Sequence, residues 1–399
     1  MRPLFPYCLN VHPGENLADI RTAIDRHTLA VKAHVAPEAS YPVGLRLSAS
    51  AAEELAGKTE LEAFAGFLAR RDLFVTGING FPYGAFHNTT VKASVYAPDW
   101  ATRERLNYTG RLATILAALL PEGETGNLST VPLGYKKSGC PPSEPSVYVR
   151  TLSVLAEFLH QLHQETNREI VLALEPEPDC LLENTNEAIA WFEDQFLFEG
   201  SRWLSRNNRR TRDEAETLLR KHVGLCLDTC HFAVAFEDPL TALIRFESAC
   251  IRVARVQLSA AVRITVSEES LHRLTAFIDP VYLHQTKILL PRGEIISLPD
   301  LSVDTLKAAG QREGCELRTH FHIPLFFADD GVLGSTRTDL TPDFFAHVQE
   351  QKYPLEIETY TFDVLPPALR SASVVDSLIR EYEWIGKTAG WNDGRSTGN

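Results

Sequence analysis

The chain has 399 residues, 39 of them Lys or Arg and 52 Asp or Glu, for a formal charge of −13. Hydrophobic residues supply 44% and charged residues 23%, ample for a large core, and this excludes a chain that is disordered throughout. The acidic balance argues against non-specific nucleic-acid binding, which needs clustered cations.

The one dense basic stretch, 202–212, is followed at once by Asp213, Glu214 and Glu216 and reads as a solvated face. No apolar run approaches the ~18 residues of a membrane helix, so no membrane insertion is expected. The opening MRPLFPYCLN lacks the apolar stretch of a secretory leader. Seven cysteines, an odd number, form no disulfide framework, and Cys226 and Cys230 read as buried thiols of a cytoplasmic protein.

Short β-branched runs alternate with longer amphipathic ones. Strands are expected at 5–11, 42–47, 74–80, 127–132, 169–175, 223–228, 252–258, 317–324 and 354–360. Helices are expected at 51–71, 101–120, 147–165, 184–198, 211–221, 239–249, 301–309 and 368–385. Thr211 and Glu214 have the spacing of a capping box, and Asp238 precedes a proline suited to a first helical position.

Such alternation implies an α/β fold with a parallel sheet. The glycines at 77, 80 and 84 lack the spacing of a dinucleotide-binding turn, which favours a (β/α)8 barrel over a doubly wound sheet. Nine strands for eight places leave one in an insertion before the last strand, expected within 260–315. One barrel domain over 1–390 and a flexible tail at 391–399 complete the expectation.

The carboxylates fall where such a barrel puts chemistry, at the C-terminal ends of its strands. Glu175 follows an unbroken apolar run, Asp228 ends the next strand with His231 three residues on, and Gln257 lies on the strand after that. The last strand carries Glu356 and Glu358 on one face, with Glu358 nearer the end. Carboxylates so close repel one another unless a cation neutralises them. Oxygen donors suit Mg²⁺ or Mn²⁺, and an added imidazole extends the choice to Co²⁺, Fe²⁺ or Zn²⁺. Taken singly, Glu175 or Asp228 could equally cap the following helix, and Gln257 could be a satisfied buried amide.

His320 and His322 alternate with Phe321 and so point the same way, as paired ligands or as packed, hydrogen-bonded histidines. Asn10, His12, Asn79, His87, Lys136 and Lys137 follow earlier strands and are weaker candidates for the barrel mouth. Cys230 reads as a small core residue.

The order Glu, Asp-x-x-His, Gln, Glu on successive strands resembles that of xylose-isomerase-like TIM barrels. The chain resembles more closely the bacterial metabolite traffic proteins called EboE. The likeness is carried by YCLNVHPGE (7–15), INGFPYG (78–84) with Phe86 and His87, YAPDW (96–100), STVP (129–132), LEPEP (174–178), CLDTCH (226–231), THFHIP (319–324) and EIETYT (356–361).

That resemblance implies a divalent metal (Mn, Mg, Co or Zn) held by Glu175, Asp228, Gln257 and Glu358, with Glu175 and Glu358 moving a proton. It implies metal or substrate contact for His231 and substrate contact for Arg263; His320 and His322 depart from the family's pattern and are candidates for metal or substrate contact through their alternation, as Asn79 and His87 are for substrate contact through their place at the barrel mouth. The activity implied is an isomerase or epimerase acting on a sugar, sugar phosphate or cyclitol in a secondary-metabolite pathway, with other pathway proteins as partners. Metal-assisted phosphoester hydrolysis of the endonuclease IV type and non-catalytic metabolite binding are the alternatives.

Overall fold

The computed structural model describes residues 3–87, 89–137 and 146–391. Of the expected tail at 391–399, all but Trp391 lies outside the described residues. Six strands run in parallel in sequence order: β1 (Tyr41–Arg46), β2 (Leu73–Asn79), β3 (Thr125–Thr130), β4 (Glu169–Leu174), β5 (Val223–Asp228) and β6 (Val253–Leu258). β1, β5 and β6 are buried at every position, as parallel strands covered on both faces must be.

Four further strands, β7 (Ala261–Thr265), β8 (Thr286–Leu289), β9 (Ile295–Leu298) and β10 (Glu316–His322), form a second sheet with β11 (Gly334–Ser335), in the order β11-β7-β10-β8-β9. β12 (Leu355–Ile357) then returns to pair in parallel with β6.

Two single bridges complete the ring. Tyr7 pairs in parallel with Ile357 and Cys8 with Gly44, so residues 7–8 stand between β12 and β1 as an eighth strand. The approach is close: a Cβ on Gly44 would lie 2.4 Å from the Tyr7 carbonyl oxygen. The result is a (β/α)8 barrel of the expected class. The run expected as a strand at 5–11 is extended only at its start, and Leu9–Val11 forms a turn of 3-10 helix.

Helices Arg103–Leu119, Ser146–Thr166, Arg212–His222, Pro239–Ser248 and Val374–Thr388 stand near their expected places. Thr211 and Glu214 form the capping box, and the Asp238 side chain accepts from the Thr241 N–H. The expected helix at 51–71 is two, Ala49–Leu55 and Lys58–Ala69, parted by the extended backbone of Gly57.

The insertion is larger than expected. It extends to residue 335 and takes in the 317–324 run as β10, which pairs antiparallel with β7 on one side and β8 on the other. Because β6 pairs directly with β12, no place is left in the barrel for β10.

One charge crosses the barrel interior. Arg255 on β6 reaches Glu356 at 2.9 Å and the Asn127 side chain at 2.5 Å, all buried. A Cβ on Gly77 would come within 2.1 Å of the guanidinium, so β2 makes room with a glycine at that level.

Candidate metal centre

β4 ends at Leu174, and Glu175 is the next residue, its backbone N–H held by the Thr130 carbonyl at 3.1 Å. Asp228 ends β5 and is also the N-cap of helix Thr229–Val234. Its Oδ1 accepts from the backbone N–H groups of Cys230 (2.8 Å) and His231 (3.2 Å) and from Ser259 Oγ (2.6 Å). The capping and ligand readings of Asp228 are therefore compatible: one oxygen is consumed by the cap, Oδ2 meets no N–H or hydroxyl donor, and the carboxylate is in hydrogen-bonding reach of the Glu358 carboxyl. Glu358 lies just past β12, its Oε1 accepting from Asn10 at 2.8 Å and Asn79 at 3.3 Å. Glu175 Oε2 is buried without a partner. Ligand atoms of Glu175, Asp228 and Glu358 lie within 4.8 Å of one another.

Burial, then the mutual repulsion of these acids, pushes Glu175 and Glu358 well above the usual carboxylate range. Burial would raise Asp228 too, but His231, His322 and its hydrogen bonds hold it below its ordinary value. Without a cation, burial and mutual repulsion thus oppose ionisation of Glu175 and Glu358 while Asp228 keeps its charge more easily. A divalent ion would favour the ionised form of both, since a nearby cation stabilises the carboxylate. The orphaned oxygens of Glu175 and Asp228 fit such an ion.

Beside this group, β10 brings His320 and His322 against His231. Ligand atoms of Asp228, His231 and His322 also lie within 4.8 Å of one another, as do those of Glu177, His231 and His320. Burial lowers His231 to about 4 and His320 well below its ordinary value. All three rings are thereby neutral near pH 7.

The centre adjoins an open cavity, with Asn10, Asn79, Glu175, Glu177, His231, His320 and Glu358 on its polar side. Phe81, Pro82, Phe86, Val91, Tyr282 and Tyr360 form an apolar wall. Polar groups converging in a mostly apolar cleft are the usual form of a small-molecule site.

Other expected residues are placed elsewhere. Gln257 is fully buried, with Oε1 accepting from Cys226 Sγ at 3.0 Å and Nε2 facing Glu356 at 3.4 Å, below the carboxylate group. Arg263 is carried away by the insertion: on β7 it pairs with Asp329 at 3.6 Å and lines a separate surface depression. His87 packs on Phe86 and Tyr282 behind the wall. His12 bonds Tyr7 and stacks on His27. Lys136 pairs with Glu183 and Glu187, and Lys137 with Asp179.

Sequence reasoning gave no role to Glu177, which burial pushes up to about 8 and which accepts from Tyr96 at 2.6 Å. Its signal was a second acid two residues past the β4 end.

No protein-family model and no curated protein matches the chain. Among solved structures it is similar to the IOLI protein with a binding zinc atom, at 12% identity over 97% of this chain and 99% of that one, with a TM-score of 0.47. A xylose isomerase domain protein from Alicyclobacillus acidocaldarius subsp. acidocaldarius gives 13% identity, 97% and 98% coverage and a TM-score of 0.46. An AP endonuclease of family 2 from Brucella melitensis gives 12% identity over 64% of this chain and 79% of that one, with a TM-score of 0.35. The barrel assignment rests on the strand order described above. No helix among the described residues is long and apolar enough to cross a membrane.

Proposed function

We propose that the chain is a divalent-metal-dependent isomerase or epimerase acting on a sugar, sugar phosphate or cyclitol-like molecule, in a pathway of the kind the EboE resemblance implies. The observation that carries this reading is the convergence of Glu175, Asp228 and Glu358, the first two with orphaned buried oxygens, beside a cavity that Glu175 and Glu358 line. An ion such as Mn²⁺, Mg²⁺, Co²⁺ or Zn²⁺ held by these three residues would bind vicinal substrate oxygens and stabilise negative charge developing on one of them.

The protein's own groups do the rest. Glu175 and Glu358 come from different strand ends, β4 and β12, and one takes the proton that the other returns. Asn10 and Asn79 both donate to Glu358 Oε1 and so orient its other oxygen. The apolar wall excludes water from the carbon that is deprotonated.

A second reading, metal-assisted phosphoester hydrolysis, is favoured by one observation, the three histidines beside the carboxylates. Incubating the metal-replete protein with sugar and cyclitol pools in D₂O separates the readings. Deuterium entering a C–H position supports the isomerase. Phosphate release without exchange supports the hydrolase. Retention of a ligand with neither supports a binding protein.

A further inference from the structure

The acids that follow the basic stretch 202–212 in sequence do not neutralise it. Glu214 is spent on the Thr211 cap, and Glu216 pairs with Arg220 at 2.8 Å. Arg210 is held by two bonds to Glu157, on the helix Ser146–Thr166. The other four, Arg202, Arg206, Arg209 and Arg212, are exposed, and none has a carboxylate partner among the described residues. Four unbalanced cations thus share one face of a chain whose formal charge is −13.

An aromatic ring lies among them. The helix Phe198–Asn207 sets Phe198, Arg202 and Arg206 four residues apart, so the three share one side of it. Phe198 is 49% exposed, an unusual state for so large an apolar side chain. The guanidinium carbons of Arg202 and Arg212 stand 5.4 and 5.3 Å from its ring centre. A guanidinium resting on a ring keeps its N–H edge for a carboxylate, which it binds in bidentate fashion. Phe198, Trp203 and Val149 line a groove between this helix and Ser146–Thr166, with Arg202 and Arg206 beside them. Val154 and Phe158, on the second helix, are exposed as well.

Arg and aromatic side chains are those on which protein interfaces concentrate their energy. The charge balance selects the partner. A nucleic acid or an anionic bilayer presents a broad negative field, which the acid excess of the remaining surface repels. A short acidic segment meets the arginines alone, and a groove fits a segment of chain better than it fits a flat surface. We infer that this groove docks an acidic segment of a partner protein. Carboxylates of that segment pair with Arg202, Arg206 and Arg212, and an apolar side chain packs on Phe198 and Trp203. None of these residues lines the cavity beside the metal centre, so the inference stands apart from the proposed activity.

The test uses the full chain and a fluorescent probe, a short peptide of Asp and Glu around a central Leu-Phe pair. The probe should bind, less tightly as salt rises. Replacing its Leu-Phe by Ser-Ser should weaken it. Arg202→Glu/Arg206→Glu should weaken binding roughly tenfold or more, and Phe198→Ser roughly fivefold. Amide exchange in the unmutated protein should slow over 198–212 when the peptide is bound, a reading that needs no variant. Absence of peptide binding, binding indifferent to the variants, or exchange that slows only elsewhere overturns the inference. So does tighter binding, through the same arginines, of single-stranded DNA or of vesicles made from equal parts phosphatidylglycerol and phosphatidylcholine. Self-association that Arg202→Glu/Arg206→Glu abolishes would assign the groove to a second copy of this chain and overturn it too.

Discussion

Ser259 Oγ donates to Asp228 Oδ1 at 2.6 Å, and that bond, with two backbone N–H groups on the same oxygen, determines which carboxylate oxygen faces the metal centre. Partners of this kind orient a ligand without touching the ion. Ser259→Ala is expected to weaken metal binding roughly ten- to a hundredfold while leaving the number of ions bound at saturation unchanged. Competition against a chelator of known affinity measures the first, and metal analysis the second.

Glu358→Gln keeps the shape of the side chain and an oxygen for Asn10 but removes the base. Metal should be retained in part, and deuterium exchange into a true substrate should fall by ~10²–10⁴. Exchange at the unmutated rate would mean that the base is elsewhere, with His231 and His322 the next residues to replace.

Arg255→Met leaves Glu356 buried without its cation. Breaking one side of a buried pair costs about 3–5 kcal/mol, whereas replacing both partners is often near neutral. Urea unfolding should therefore show a large loss for Arg255→Met and a much smaller one for Arg255→Met/Glu356→Leu.

Glu381 gives a pH dependence of its own, through Thr359 beside Glu358. It is fully buried, and burial raises it from 4.5 to about 7 against the opposing hydrogen bonds from the Leu325 N–H and the Thr359 hydroxyl. The folded state keeps this proton over a range where the unfolded state has lost it. Stability from this group is therefore full below about pH 4.5, falls as pH rises to about 7, and is level above that. The total is on the order of 3 kcal/mol. Glu381→Gln should lack this slope, so the stability difference between variant and parent should grow in the variant's favour from pH 5 to pH 8 in chemical denaturation.

The barrel was legible because its strands are buried on both faces. VGLCLD and EIVLAL read as unbroken apolar runs, and an acid at the end of such a run stands out. Glu175 and Asp228 were visible for that reason, and Glu358 by lying nearest the end of the last strand. The period of two could not separate Glu356 from Glu358, which share a face; only depth in the barrel assigns one to Arg255 and the other to the cavity.

The inserted sheet was not legible. β8 and β9 are four residues each, and β9 alternates between exposed and half-buried positions, too short and too polar for a pattern. Arg263 was misplaced for the same cause, since a likeness to barrel proteins places a residue only while the chain stays in the barrel. That His320 and His322 share a face could be read from the sequence because their alternation is a local property, independent of the sheet that holds them.

The eighth stave of the barrel is its weakest. Residues 7–8 are tied by one bridge to each neighbour, through such bonds as Cys8 N–H to the Ile357 carbonyl, whereas β3 and β4 match over six residue pairs. Segments with few backbone bonds open at lower free energy than the rest of a fold. Asn10, two residues along, donates to Glu358. Each time that stave breathes, the carboxylate loses a partner that orients it, so amide exchange at Cys8 and the basicity of Glu358 should vary together. Cargo fused upstream of Phe5 would then act on the chemistry from the opposite end of the chain.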